Sequence, residues 1–223
     1  DEIMNHNYGF TGEVLAKYDV ELKIFVAFQR VFMCLPLAHV VNHDVFVTHG
    51  GLPRISKNLS LDTIAAVDRI KVSQDDPRQP REPQEEDIIY NDLMWSDPFE
   101  GAGIRGSERG GSARQFGADI TEEFLAKNDL SFMIRSHEVK DEGYEWMHNK
   151  KCLTVFSAPG YCDSCRNRGA VVRLHAEEDE GRLRPEIRPF DTAEKPQDYV
   201  YAMSYASSTY QLWNEALRKA GIN

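Results

Sequence analysis

Long apolar runs are missing from this chain of 223 residues. No stretch reaches the ~18–20 residues that a membrane-spanning helix requires. The N-terminus opens on Asp1 and Glu2 with no apolar core behind them, which is not the pattern of a secretory leader. A basic excess is missing too. The net charge is −10, the reverse of the basic surface that general nucleic-acid binders present, although a local basic pocket for a phosphate stays open. Cysteine is scarce: Cys34, Cys152, Cys162 and Cys165 do not look like a disulfide framework for a chain of this size. The single CxxC, Cys162 to Cys165, has no second pair with which to make a zinc ribbon. Reduced thiols in a cytoplasmic or nuclear protein are the simpler reading, with a redox pair as the alternative. The length suits one sizeable domain, or at most two small ones.

What is present alternates between helix-like and strand-like patterns. Val14, Tyr18, Leu22, Phe25, Val26, Phe28, Val31 and Phe32 recur at helical spacing. They predict a helix over Glu13–Leu35, with Thr11 as N-cap and Pro36 helping to end it. Val40–Val41 reads as a short strand, Asn42–Asp44 as a turn, and Val45–Thr48 as a strand. Leu59–Ile70 reads as a helix capped by Ser60. Ser73–Asp87, with Pro77, Pro80 and Pro83 among many charges, reads as a mobile surface loop. Order returns over Ile88–Trp95. Glu100–Arg114 is rich in Gly and Arg, which suits either a spacer or a tight loop presenting Arg and backbone N–H groups to an anion. A helix is expected over Ile120–Asn128, and strands over Leu130–Ile134, Cys152–Phe156 and Ala170–His175. Arg182–Phe190 reads as the hairpin partner of the last strand across the acidic turn Glu177–Gly181, and Met203–Ala220 as a helix. Without an internal repeat, the alternation points to a layered α/β or α+β fold.

Two histidines stand apart from the rest. His49 closes the run Val45–Thr48 and is followed by Gly50-Gly51, which permit close backbone approach. His137 closes a second apolar run, Phe132–Ile134, and is followed by Glu138. Two strand-end imidazoles could supply two ligands of one metal centre, though not a whole one. His6, His39, His43, His148 and His175 lack such company and read as structural or surface residues.

The ordered set Thr48-His49-Gly50-Gly51, Trp95-Ser96-Asp97-Pro98, Arg109-Gly110 with Gln115-Phe116-Gly117, Arg135-Ser136-His137-Glu138 and Ser157-Ala158-Pro159-Gly160-Tyr161-Cys162 resembles the metal-dependent phosphoprotein phosphatases, the family of protein serine/threonine phosphatases. Met4-Asn5 with Tyr8-Gly9-Phe10, and Leu35-Pro36-Leu37-Ala38, resemble it as well, so the likeness runs from Met4 to about Phe190. Ile134–Lys140 and Glu142–Glu145 are most similar to its protein phosphatase five branch. The resemblance implies a calcineurin-like metallophosphatase β-sandwich flanked by helices. It also implies hydrolysis of phosphoserine and phosphothreonine by metal-activated water at a binuclear centre of divalent ions, with manganese, iron or zinc as candidates. His49 and His137 then match two metal ligands. Arg109 matches the phosphate-binding arginine, Tyr161 the tyrosine overhanging the site, and Asp97 with Trp95 a motif lining the same cleft. Phosphoproteins would be the substrates, and a regulatory domain or subunit a further partner.

The chain departs from that pattern. The family motifs GDxHG, GDxVDRG and GNHE, which carry its other metal ligands, its general-acid histidine and a second phosphate arginine, do not occur, and the chain holds no Gly-Asp dipeptide. Gly160 stands where the family has Asn, and Arg109–Gly117 carries one extra residue. The resemblance therefore implies a C-terminal portion of the catalytic domain over 1–198, followed by a helical extension over 199–223, with an incomplete ligand set and an exposed sheet edge. A catalytically inactive, partner-binding fragment is the alternative.

Overall fold

The computed structural model describes residues 2–55, 59–70, 82–176, 181–198 and 200–222. The chain clusters into two compact units. The N-terminal helices group with the C-terminal segment (described residues of 1–35, 69–75 and 194–223), and the remainder forms the other unit. The apolar faces of the first helices and of the last one are buried against one another within one unit.

In that helical unit, α1 (Glu2–Asn7), α2 (Phe10–Lys17) and α3 (Leu22–Cys34) accompany a 3₁₀ segment, Ala202–Ser208, and helix α7 (Thr209–Lys219). The single helix expected over Glu13–Leu35 is in fact two. Asp19 takes a left-handed φ of 52°, and Val20 N–H reaches back to Leu15 O at 2.8 Å, closing α2 with a Schellman-type cap. Aspartate fills the position that glycine usually marks, so the stop is hard to see in the sequence. Gly9, not Thr11, is the N-cap residue, and Thr11 is buried inside α2. Trp213 of α7 packs edge-on against His6 at 4.6 Å and Phe25 at 5.5 Å between ring centroids, so the C-terminal helix is seated in its own unit.

The second unit is built on a five-stranded sheet of order β1-β2-β6-β8-β7: β1 (Ala38–Val41), β2 (Val45–Thr48), β6 (Phe132–Arg135), β7 (Tyr144–Met147) and β8 (Cys152–Val155). β2, β6 and β8 run parallel, and the edge strands β1 and β7 are antiparallel to their neighbours. Parallel strands are normally covered by helices. Accordingly Phe46 of β2 meets Phe124 of α6 (Ala118–Lys127), with ring centroids 4.8 Å apart and both residues buried. Helix α4 spans only Leu61–Ala65, shorter than expected, and Ser60 caps it with a capping box. Helix α5 (Glu85–Trp95) begins inside the stretch expected to be a loop. The rest of that loop, up to residue 81, lies outside the described residues, as does the turn at 177–180.

The Gly/Arg-rich segment is not a spacer. It forms an antiparallel pair, β4 (Ile104–Gly106) and β5 (Arg114–Phe116), and β5 also pairs with β3 (Asp97–Pro98). β9 (Gly169–Ala176) and β10 (Leu183–Phe190) form the expected hairpin. The α/β expectation thus holds, with sheets and helices in one mixed architecture. No described helix is long and apolar enough to cross a membrane. All four cysteines are free thiols, and burial pushes the Cys152 thiol up to about 12.

Asp44, 1% exposed, fastens the hairpin to the sheet. Its carboxylate accepts from Arg182 Nη1 at 2.8 Å and Leu183 N–H at 2.6 Å, as well as from Ser131 Oγ. Burial alone would push its pKa up, but these donors outweigh burial and hold it below the ordinary value. A depressed folded value means that its stabilisation is present above about pH 4 and is lost as pH falls through the folded value. Asp44→Asn should therefore cost on the order of 1–3 kcal/mol at neutral pH, and the gap in urea midpoint from the native chain should close on acidification.

Candidate functional site

Three parallel strands end side by side in the five-stranded sheet, and each runs into a segment singled out in the sequence. β2 delivers His49, β6 delivers His137, and β8 leads through Ser157–Gly160 to Tyr161. The carboxyl ends of parallel strands are where such sheets present loops to ligands. The His49 and His137 rings lie 5.1 Å apart between centroids, and Ser136 N–H donates to His49 O at 3.0 Å. Trp95, the last residue of α5, sets its ring edge-on to His137 at 5.3 Å.

The glycines after His49 act by close approach rather than by an unusual φ, since neither has a left-handed backbone. Gly50 N–H donates to Leu93 O at 2.7 Å, and a Cβ on Gly50 would stand 2.6–2.8 Å from backbone atoms of Met94 and Trp95. On Gly51 a Cβ would run into the Phe116 ring. Backbone cannot swing aside as a side chain can, so Gly50→Ala should cost about 1–3 kcal/mol in denaturant unfolding. It should also weaken whatever His49 binds.

Asp97 is the hub. It is 3% exposed and holds the groups around it. Oδ1 accepts from Arg135 Nη2 at 2.6 Å and faces His137 Nδ1 at 3.1 Å, while Oδ2 accepts from Arg109 Nε at 2.6 Å. Burial would push the carboxyl up, yet hydrogen bonds from His137 and Arg109 and the Arg135 charge hold it well below the usual carboxylate range. Arg109 Nη2 also donates to His137 O at 3.0 Å. These bonds brace His137 in a left-handed conformation, φ 74°, which is strained for a residue with a Cβ. Burial, and then the neighbouring His137 and Arg135, drive the His49 pKa down to about 4.

A divalent ion needs neutral imidazole or carboxylate donors with free lone pairs. The lowered pKa of His49 favours its neutral form. A neutral His137 that donates Nδ1–H to Asp97 keeps its lone pair on Nε2, with the carboxylate behind it as metal-binding histidines usually have. The pair therefore suits two ligands. Asp97 is not a third, because its oxygens are engaged by Arg109, Arg135 and His137. Among the described residues no group of three or more His, Cys, Asp or Glu is arranged to hold a metal.

Arg109, with 39% of its side chain exposed, spends its Nε edge on Asp97. Its Nη1 makes no hydrogen bond among the described residues and is available to an anion. Tyr161, 44% exposed, stacks edge-on against Phe156 at 5.0 Å. Asn167 closes its loop: Oδ1 accepts from Tyr161 N–H, and Nδ2 donates to Ala158 O, both at 2.9 Å. Gly160 has φ 62°, a conformation that glycine and asparagine adopt readily, so the departure there leaves the loop backbone intact.

The structure thus brings His49, His137, Asp97, Arg109 and Trp95 into one cluster and sets Tyr161 on the loop after β8. Of the other histidines, His39 and His43 are exposed, and three have structural settings. His148 bonds Thr121 Oγ1 at 2.8 Å and Phe99 O at 3.0 Å, His175 pairs with Glu186, and His6 packs on Phe25 and Trp213. Sequence reasoning missed Asn167 and gave Arg135 no role of its own. The available signal for Arg135 was a charged residue directly after three apolar strand positions.

Residues 5–141 match the calcineurin-like phosphoesterase family, a span that includes His49, Asp97, Arg109 and His137. The chain is 43% identical over 212 residues to serine/threonine-protein phosphatase 5 of Solanum lycopersicum, covering 95% of this chain and 34% of that protein. It is 41% identical over 209 residues to the human protein of that name, covering 94% and 38%. It thus spans little more than a third of the length of the curated relatives it matches. A solved structure, a protein serine/threonine phosphatase from Saccharomyces cerevisiae with similarity to human phosphatase PP5, superposes with a TM-score of 0.71 at 36% identity, covering 88% of this chain and 59% of that one.

Proposed function

This chain belongs to the calcineurin-like phosphoesterase family, and from that premise we propose that it serves the hydrolysis of phosphoserine and phosphothreonine in proteins. The observation that carries the reading is the single cluster in which His137, beside the His49 ring, shares Asp97 with an anion-ready arginine. Arg109 meets the phosphate with Nη1, because Asp97 already holds its other edge. Trp95 covers one side of His137 and limits water there. Tyr161 supplies an exposed aromatic wall for the substrate. His49 and His137 are the residues that would hold a divalent ion, which when bound supplies a water of lowered pKa and neutralises phosphoryl charge. Manganese as the ion, phosphoprotein substrates, a regulatory domain or subunit, and a cytoplasmic or nuclear setting belong to the same proposal. The resemblance supports them.

A second reading is a phosphatase-like module that binds phosphoproteins without turnover. Phosphate release from a phosphothreonine peptide with added Mn²⁺ separates the two. The proposal expects release that a chelator stops and that His137→Ala abolishes. Peptide binding with no release under any divalent ion would overturn it in favour of the binding module.

A further inference from the structure

Arg135 is 1% exposed, yet it is the most heavily bonded side chain near the site. Nε donates to Gly50 O at 2.6 Å, Nη1 to Glu138 Oε2 at 2.8 Å, and Nη2 to Ser96 O at 3.2 Å and Asp97 Oδ1 at 2.6 Å. A guanidinium offers five N–H donors in a fixed plane, and these bonds engage all three of its nitrogens. The acceptors belong to three separate segments. Gly50 follows His49, Ser96 and Asp97 lead into β3, and Glu138 follows His137. Each bond ends on a residue that holds, or directly adjoins, a functional group.

We infer that Arg135 is a positioning residue: through Asp97 it fixes His137 and Arg109, and through Gly50 O it holds the His49 segment in register with them. Packing alone does not account for it. Replacing both members of a buried ion pair by apolar groups of similar volume is often neutral or stabilising, so stability alone does not call for a charged pair here. A planar fork, by contrast, fixes the direction of Asp97, and Asp97 has one oxygen toward His137 and the other toward Arg109. If Asp97 rotates, His137 loses the acceptor that selects its Nδ1–H tautomer, and Arg109 loses the partner that turns Nη1 outward. Lysine has no such fork and cannot bond Gly50 O, Ser96 O and Asp97 in one plane.

The inference rests on the cluster's geometry and not on turnover, so it can fail while the phosphatase reading stands, and the reverse. Histidine- and arginine-labelled protein gives the readout by nitrogen NMR. In the native chain, His137 shows the Nδ1–H tautomer alone and Arg109 Nε–H exchanges slowly. In Arg135→Lys, His137 becomes a mixture of tautomers and Arg109 Nε–H exchanges at least tenfold faster. Asp44→Asn, which loosens the same unit elsewhere, leaves both signals as in the native chain. A folded Arg135→Lys with native His137 and Arg109 signals overturns the inference. Should that variant not fold, the native chain below its denaturation midpoint still decides. Arg135 Nε–H protection and the single His137 tautomer must then be lost in one step. Loss of the tautomer with Arg135 still protected overturns it.

Discussion

Asp97→Ala should lower folding stability by about 3–5 kcal/mol, the range for breaking a buried ion pair from one side. The size follows from what stays behind. Arg135, 1% exposed, keeps its charge but loses its shortest carboxylate partner, and Glu138 alone, with 26% of its side chain exposed, is left to balance it. Arg109 loses little stability of its own, since it can turn to water. The double variant Asp97→Ala with Arg135→Met should recover a substantial part of the loss, because it removes the stranded charge. Chemical denaturation of the two single variants and the double variant measures this coupling. Additive losses would show that the buried pair is not the source of the effect.

Arg109→Ala should behave in the opposite way, with little change in stability and a large change in hydrolysis. The residue is half-exposed, and Asp97 keeps its bonds to Arg135 and His137 without it. Loss of a preorganised donor to a reacting phosphate costs roughly 10²–10³ in rate. Arg109→Lys should not restore it, because a point charge on a flexible stem cannot face Asp97 with one edge and the phosphate with another. Phosphopeptide turnover, read beside the thermal midpoint, separates this from a folding defect. Native turnover in Arg109→Ala would mean that the phosphate is held elsewhere.

The strands that carry the histidine pair were legible because short apolar runs ending in His-Gly-Gly and Arg-Ser-His leave few alternatives. The glycine reading was right for a physical reason that spacing alone cannot supply: the backbones of Met94 and Trp95 pass within reach of Gly50. Other features depend on tertiary pairing. β4 and β5 are three residues each and exist by pairing with one another and with β3, so Glu100–Arg114 looked like a spacer or an isolated loop. The break between α2 and α3 turns on Asp19 in a left-handed conformation, to which helical periodicity is blind. The burial of Asp97 is not legible in its own segment, because its partner Arg135 lies 38 residues further along the chain.

The central claim is that His49 and His137 together face one ligand. Titrating Co²⁺ into histidine-labelled protein and following the ring signals tests it most directly. The account predicts paramagnetic shifts of both His49 and His137 in one binding step, with His148 and His175 much less affected, and loss of the step in either His49→Ala or His137→Ala. Co²⁺ binding that leaves these two rings unshifted, or that persists in both variants, would contradict it.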